Sequence, residues 1–231
     1  MTFNKFDSKK SFALLLFYFI GYTVILSSIP FLIAGFLIGL NVSGDYLNSL
    51  TIIFQSISLA ILIYLSKDFL KLELKSFKEN FVGSIIKVPL YYIGMYIINI
   101  LISLVFNLLN ATNSNQVLIE ELLNTATSSY VFLAVIVAPI IEEIIFRAVI
   151  FRNLYEKNKL IAYIVSSFLF GLLHVIGSLA SFNMNDFMYI FVYMNMGLWL
   201  SYSYAKHKNI FTSILFHMLN NIIAVAIILI I

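Results

Sequence analysis

Three short stretches of this 231-residue chain place ionisable or amide side chains inside runs that are otherwise aliphatic, aromatic or small. The first, APIIEEIIFRAVIFRNL over 138–154, holds Glu142, Glu143 and Arg147. The second, FLFGLLHVIG over 168–177, holds Phe170 and His174. The third, ILFHMLNNI over 214–222, holds His217, Asn220 and Asn221. A carboxylate can take a proton from water and return it to a leaving group, and an imidazole or an amide can donate to a developing oxyanion. The set therefore suits hydrolysis of an acyl bond. Helical spacing sorts the residues further. Glu143 and Arg147 are four apart, share a face and pair within the helix. Glu142 is turned about 100° away from Glu143, which leaves its carboxylate for another task. His217 and Asn221, also four apart, present two polar groups from one face, as Phe170 and His174 present a ring beside an imidazole.

The elements that carry these residues must lie in lipid. The chain is 61% hydrophobic and 11% charged, with a mean hydropathy of +0.99, where a soluble domain is about 45–50% apolar and about 25% charged. The apolar runs are continuous, so they read as helices rather than barrel strands. The expected fold is all-α, a polytopic transmembrane bundle of about seven spans at 12–40, 47–66, 84–110, 128–151, 160–178, 185–205 and 209–231. Gly21 and Pro30 allow a kink in the long first run, which reads as a retained span and not a cleaved signal peptide. Residues 67–79, with Lys71, Lys75 and Lys78 among Leu and Phe, read as an interfacial amphipathic helix. The segment 111–127, with Glu120 and Glu121, reads as a polar external loop. Residues 1–127 then form an N-terminal helical part and 128–231 a catalytic core.

The charges fix an orientation. Lys5, Lys9 and Lys10 precede the first span, and Lys67 to Lys87 surround the second loop. Arg152, Lys157 and Lys159 follow span four, and Lys206 and Lys208 follow span six. The alternate loops, near Asp45, 111–127 and 179–184, hold no Lys or Arg. Positive-inside bias places the N-terminus in the cytoplasm and the C-terminus outside. Away from span ends only Arg147 is basic. At 1.5 Å per residue, Glu142 lies about 15 Å from Arg152, His174 about 22 Å from Lys159, and His217 and Asn221 about 14 and 20 Å from Lys208. Three helices thus bring polar groups to a similar depth, where an ionisable side chain costs roughly 2.5–3.5 kcal/mol on insertion scales.

Taken singly, each residue has a structural reading. A Glu–Arg pair, a lone His or a lone Asn serves as glue between helices. Phe170 reads as packing, Asn195 as glue in span six, and His207, between Lys206 and Lys208, as a solvated loop residue. Asn220 is expected to face away from His217. Their conjunction points to chemistry. With no cysteine, disulfides, thiolate catalysis, Cys-ligated zinc and prenylation of this chain are excluded. The net charge of +3 follows from topology, and no nucleic-acid partner is expected. Asp7, Asp45, Asp68 and Asp186 lie at or beyond span ends, which disfavours an aspartyl intramembrane protease. A Gly-x-Ser-Gly segment of the rhomboid kind is absent.

In these motifs the sequence resembles the CPBP family of intramembrane proteases (CAAX-processing endopeptidase and bacteriocin-processing, or Abi). The family pattern of Glu-Glu-x-x-x-Arg, Phe-x-x-x-His and His-x-x-x-Asn occurs in order as Glu142–Glu143–Arg147, Phe170–His174 and His217–Asn221, within residues 128–231. The resemblance implies a multi-pass integral membrane endopeptidase, of a bacterial cell membrane, acting on a membrane-associated peptide or protein: a leader peptide, a bacteriocin or signal peptide, or a CAAX-type substrate. It implies that Glu142 and His174 activate a water, that His217 and Asn221 form the oxyanion site, and that Glu143 and Arg147 orient Glu142. The family is often labelled metalloprotease. Glutamate-activated water without a metal is favoured here. Zinc held by Glu142, His174 and His217 is the alternative, although no His-Glu-x-x-His helix is present. Two other classes compete: a non-catalytic scaffold or self-immunity protein of the same fold, and a proton-coupled transporter with the cluster as relay.

Overall fold

The computed structural model describes residues 3–4, 6–40, 46–109, 111, 113–180 and 182–230, without the side chains of 125–127, 178–180 and 185. Lys5 and Asp45 lie outside the described residues. Those described form helices and short connections, with no strand among them. The helices are α1 (Ser8–Gly39), α2 (Tyr46–Glu79), α3 (Phe81–Ile85), α4 (Val88–Leu108), α5 (Ser114–Phe132), α6 (133–155), α7 (Lys159–Ala180), α8 (Met184–Phe187), α9 (Ile190–His207) and α10 (Ile210–Ile230). Five stretches are long and apolar enough to cross a membrane: α1, α2, Phe81–Leu108, Lys159–Gly177 and α10. The fourth and sixth expected spans, α6 and α9, run among them and carry polar side chains inward. The protein is thus an all-helical, multi-pass membrane protein.

Local chemistry explains the irregular helices. In α1 the turns widen to π geometry over Phe17–Leu26, ending four residues before Pro30, which has no N–H to offer the Leu26 carbonyl. The hydroxyls of Thr23, Ser27 and Ser28 donate to the carbonyls of Phe19, Thr23 and Val24, at 2.6, 2.7 and 2.7 Å, so they meet lipid with their hydrogens satisfied. α6 alternates π-helical Leu133–Val137 and Ile144–Phe151 with α-helical Ala138–Glu143 and Arg152–Tyr155. π turns recur at functional sites because they rotate side chains relative to a regular helix. Residues 143–149 are all buried. α1 and α4, by contrast, turn Leu32 and Leu108 (71% and 84% exposed) to the lipid.

The basic residues gather at one end. Lys10 pairs with Asp68 at 2.9 Å, and the Lys208 ammonium sits over the rings of Phe3 and Tyr155. Burial and the neighbouring Lys159 hold the Lys208 amine below its usual range. Glu73, fully buried here, accepts from Asn4 Nδ2 at 2.7 Å and from the Ile210 N–H at 2.6 Å. It satisfies a free donor at the start of α10, the helix that carries His217. The positive-inside bias assigns this end to the cytoplasm. At the opposite end Tyr130 donates to Asn48 at 3.3 Å and the Ser114 N–H to Asp186 at 2.6 Å.

Three expectations need correction. Residues 67–79 do not form a separate interfacial helix; they continue α2, because no Gly or Pro from 46 to 79 interrupts it. The 34-residue helix is about 51 Å long, so its lysine-rich end emerges from a hydrocarbon core of about 30 Å. The segment 111–127 is not a loop. Asn113 caps α5 by accepting from the Gln116 N–H at 3.2 Å, and Ile119, Leu122 and Leu123 supply an apolar face that outweighs Glu120 and Glu121. His207 is not a solvated loop residue: it ends α9, half-buried, with Nε2 2.8 Å from the Tyr91 hydroxyl.

Close approach of α7 and α9 rests on small residues. A Cβ on Gly171 would fall 2.9 Å from the Ile190 carbonyl oxygen, and one on Gly197 2.9 Å from the Ser167 Cα. Such contacts let backbones pack tightly in a membrane. They also bring Tyr193 of α9 onto His174 of α7. Asn195 acts as the expected glue, donating to the Met95 carbonyl at 3.1 Å and to Asn99 at 2.8 Å on α4.

Candidate active site

The polar residues of α6, α7 and α10 converge. Arg147 Nε lies 3.2 Å from Glu143 Oε2, both side chains fully buried, so the expected i,i+4 pair forms. The Arg147 guanidinium also stacks over Phe170, 4.6 Å from the ring centre. Glu143 Oε1 meets His217 Nδ1 at 3.0 Å. A carboxylate held by a buried guanidinium is an acceptor, so His217 carries its hydrogen on Nδ1 and turns Nε2 away from the pair.

His174 is fixed in the same sense. Its Nδ1 is 2.8 Å from the Phe170 carbonyl oxygen, which can only accept, so Nδ1–H is again the donor and Nε2 is left for the site. Glu142 faces both free nitrogens. Its Oε2 is 3.8 Å from His217 Nε2 and 4.0 Å from His174 Nε2. These gaps exceed a direct hydrogen bond and suit a small molecule between the groups. Among the described residues Glu142 Oε2, a buried atom, has no hydrogen-bond partner. Phe170 does more than pack at random. It contacts the rings of His174 and His217, with centroids 4.6 and 5.7 Å away, as well as Arg147.

Asn221 stands one turn along α10 from His217. Its Nδ2 donates to the Ala134 carbonyl at 2.8 Å, and its Oδ1 accepts from Asn220 Nδ2 at 3.0 Å. One Asn221 N–H remains beyond the Ala134 bond. Asn220 does not face away as expected. It lines the same cavity as Glu142, His174, His217 and Asn221, because the adjacent amides bond to each other.

That cavity has a volume of about 410 Å³. Its walls include Leu133, Val137, Leu173, Met196 and Val225, and α1 and α2 contribute Tyr22, Thr51 and Gln55. Sequence reading missed Tyr193. Its ring stacks on His174 at 4.5 Å and 19°, and its hydroxyl donates to Asn113 at 3.1 Å and accepts from Asn115 at 3.0 Å. One Tyr among 14 carries no signal by itself in a membrane protein, where Tyr is common at the interface.

Among the described residues, no group of three or more His, Asp or Glu side chains is gathered so as to hold a metal ion. The nearest set is Glu142, His174 and His217.

Comparison with protein families matches residues 124–223 to the Rce1-like model, described as type II CAAX prenyl endopeptidase Rce1-like. The matched stretch contains all three motifs. This stretch is similar to the Rce1-like family, which is consistent with the CPBP intramembrane proteases and supports a CAAX-type intramembrane endopeptidase in general. No curated protein and no solved structure gave a significant match.

Proposed function

We propose that the protein is an intramembrane endopeptidase in which Glu142 activates water. The observation that carries this reading is the unpartnered Glu142 Oε2 facing two imidazole Nε2 atoms across gaps of 3.8 and 4.0 Å, at the floor of a cavity. Water held there gives a proton to Glu142 while its oxygen attacks the peptide carbonyl. The tetrahedral oxyanion is met by the remaining Asn221 N–H and by His217. Because His217 Nδ1–H is committed to Glu143, Nε2 donates only from the imidazolium, which then lies between Glu142 and Glu143. His174 holds the water. Glu142 next passes its proton to the amide nitrogen, the C–N bond breaks, and an acid and an amine result. Acid–base catalysis of this kind is worth about 10²–10⁴-fold, and one oxyanion donor about 2.7–4 kcal/mol.

Zinc is the second reading for the same residues. Both imidazoles present Nε2 with Nδ1–H bonded to an oxygen, as metal-bound histidines do. The side chains nevertheless do not gather as a metal group among the described residues, so no step is routed through a metal. Cleavage of a leader-type peptide by purified protein in detergent decides the matter, with wild type compared to Glu142→Ala and with chelator added or withheld. Cleavage by wild type alone, indifferent to chelator, supports the glutamate mechanism. Loss with chelator and rescue by zinc replaces it with a metallopeptidase. Equal behaviour of wild type and Glu142→Ala across a peptide library favours a scaffold.

A further inference from the structure

The cavity lies on one side of the catalytic groups. On α6 it touches Leu133, Ala134, Val137, Ala138 and Glu142, and nothing beyond Glu142 toward the cytoplasmic end. On α10 it begins at His217 and runs outward through Asn221 and Val225 to Ile228. α2 supplies Thr51 and Gln55, close to that helix's outer start, and nothing later. α7 contributes no residue before Leu173, and α9 none after Met196. Glu142 and His217 thus form its floor. Beneath them Phe146, Arg147, Phe151, Phe170, Tyr204 and Phe216 are fully buried and close the way to the cytoplasm.

The roof is α5. A straight helix from Asn115 to Glu142 would separate them by about 40 Å. Instead Asn115 bonds the Tyr193 hydroxyl, and the Tyr193 ring stacks on His174, within 4.0 Å of Glu142. The chain therefore bends back between α5 and the catalytic turn, and α5 lies across the outer mouth. Gln116, Ile119, Leu122 and Leu123 form its cavity face. Among the described residues no Lys or Arg lines the cavity, so none of them would pair there with the carboxylate of a chain terminus.

Taking Glu142 as the catalytic base, we infer that the substrate enters from the extracytoplasmic side, beneath α5, as an extended internal segment with apolar side chains. The bond cut lies at the outer end of a membrane-embedded or exported peptide, and not at a cytosolic C-terminus. A cavity of this volume falls within the usual range of about 300–1,000 Å³ for ligand pockets and takes a short stretch of peptide. Release of Tyr193 by Asn113 and Asn115 opens the roof.

The chain has no cysteine, so single cysteines report access without any need for cleavage. Ala224→Cys and Ile228→Cys line the cavity, and Lys157→Cys marks the cytoplasmic end. A membrane-impermeant maleimide added to right-side-out vesicles is expected to label the two cavity variants and not Lys157→Cys. Tyr193→Phe in the Ala224→Cys background is expected to quicken labelling. Cavity cysteines labelled only in inside-out vesicles, or from neither side, overturn the proposal, as does Lys157→Cys labelled from outside. Because labelling is independent of turnover, loss of the peptidase reading and loss of the entry route are told apart.

Discussion

On the cytoplasmic side of Glu142 the layer directly beneath it is closely packed: Phe146, Phe151, Tyr204 and Phe216 are fully buried, and Glu143 and Arg147 are paired among them. On the outer side the same helices part around a cavity of about 410 Å³. The inner half sets carboxylates against a guanidinium, an imidazole and a helix end, as Glu143 does with Arg147 and His217 and Glu73 does at the Ile210 N–H. In the outer half Glu142 Oε2 faces the open cavity instead, 3.8 and 4.0 Å from the Nε2 atoms of His217 and His174. The difference shows how a membrane protein holds a reactive carboxylate steady. A closely packed floor, in which Glu143 holds His217 Nδ1, fixes the rotamers and tautomers of the groups above it, while the room for water and substrate lies on the other side.

The largest test of this contrast is Glu142→Gln, which keeps the shape and removes the base. Peptide cleavage should fall by about 10²–10⁴-fold, with membrane accumulation unchanged on immunoblots. Next comes Arg147→Ala, which strands Glu143 in the floor. Breaking a buried pair typically costs about 3–5 kcal/mol, so both the thermal midpoint in detergent and the yield should drop. The double variant Glu143→Leu/Arg147→Met sharpens the point. It should recover accumulation, since no charge is stranded, but not activity, since His217 Nδ1 loses its acceptor. Recovery of both would mean that Glu143 has no part in orienting His217.

Smaller effects are expected where helices meet. Gly197→Val forces α9 away from Ser167, and overpacking of this kind costs about 1–3 kcal/mol. It should lower the melting midpoint and, by shifting Tyr193 off His174, reduce turnover. The smallest stability effect belongs to Tyr193→Phe, which keeps the stacked ring and removes hydrogen bonds worth about 0.5–1.5 kcal/mol each. A changed KM with little change in melting midpoint would fit a loosened roof.

The fold was largely legible because lipid demands long apolar runs and the charges mark one side. The Glu143–Arg147 pair and the meeting of Glu142, His174, His217 and Asn221 followed from helical spacing and matched depth. What escaped depends on tertiary packing. Glu73 lies in a lysine-rich stretch that reads as exposed, and only the fold buries it against α10. His207 lies between two lysines, and its contact with Tyr91 comes from a helix 116 residues away in sequence. Tyr193 and Asn115 are ordinary interfacial residues until α5 folds back over the site. Asn220 was assigned by rotation about a single helix, which cannot anticipate its bond to Asn221.

The most direct measurement is cleavage of an apolar leader-type peptide added to the outside of right-side-out proteoliposomes, comparing wild type with Glu142→Gln. The account predicts cleavage by wild type only, and none when the peptide is confined to the cytoplasmic face. Equal cleavage by both proteins, or cleavage only from the cytoplasmic face, would contradict it.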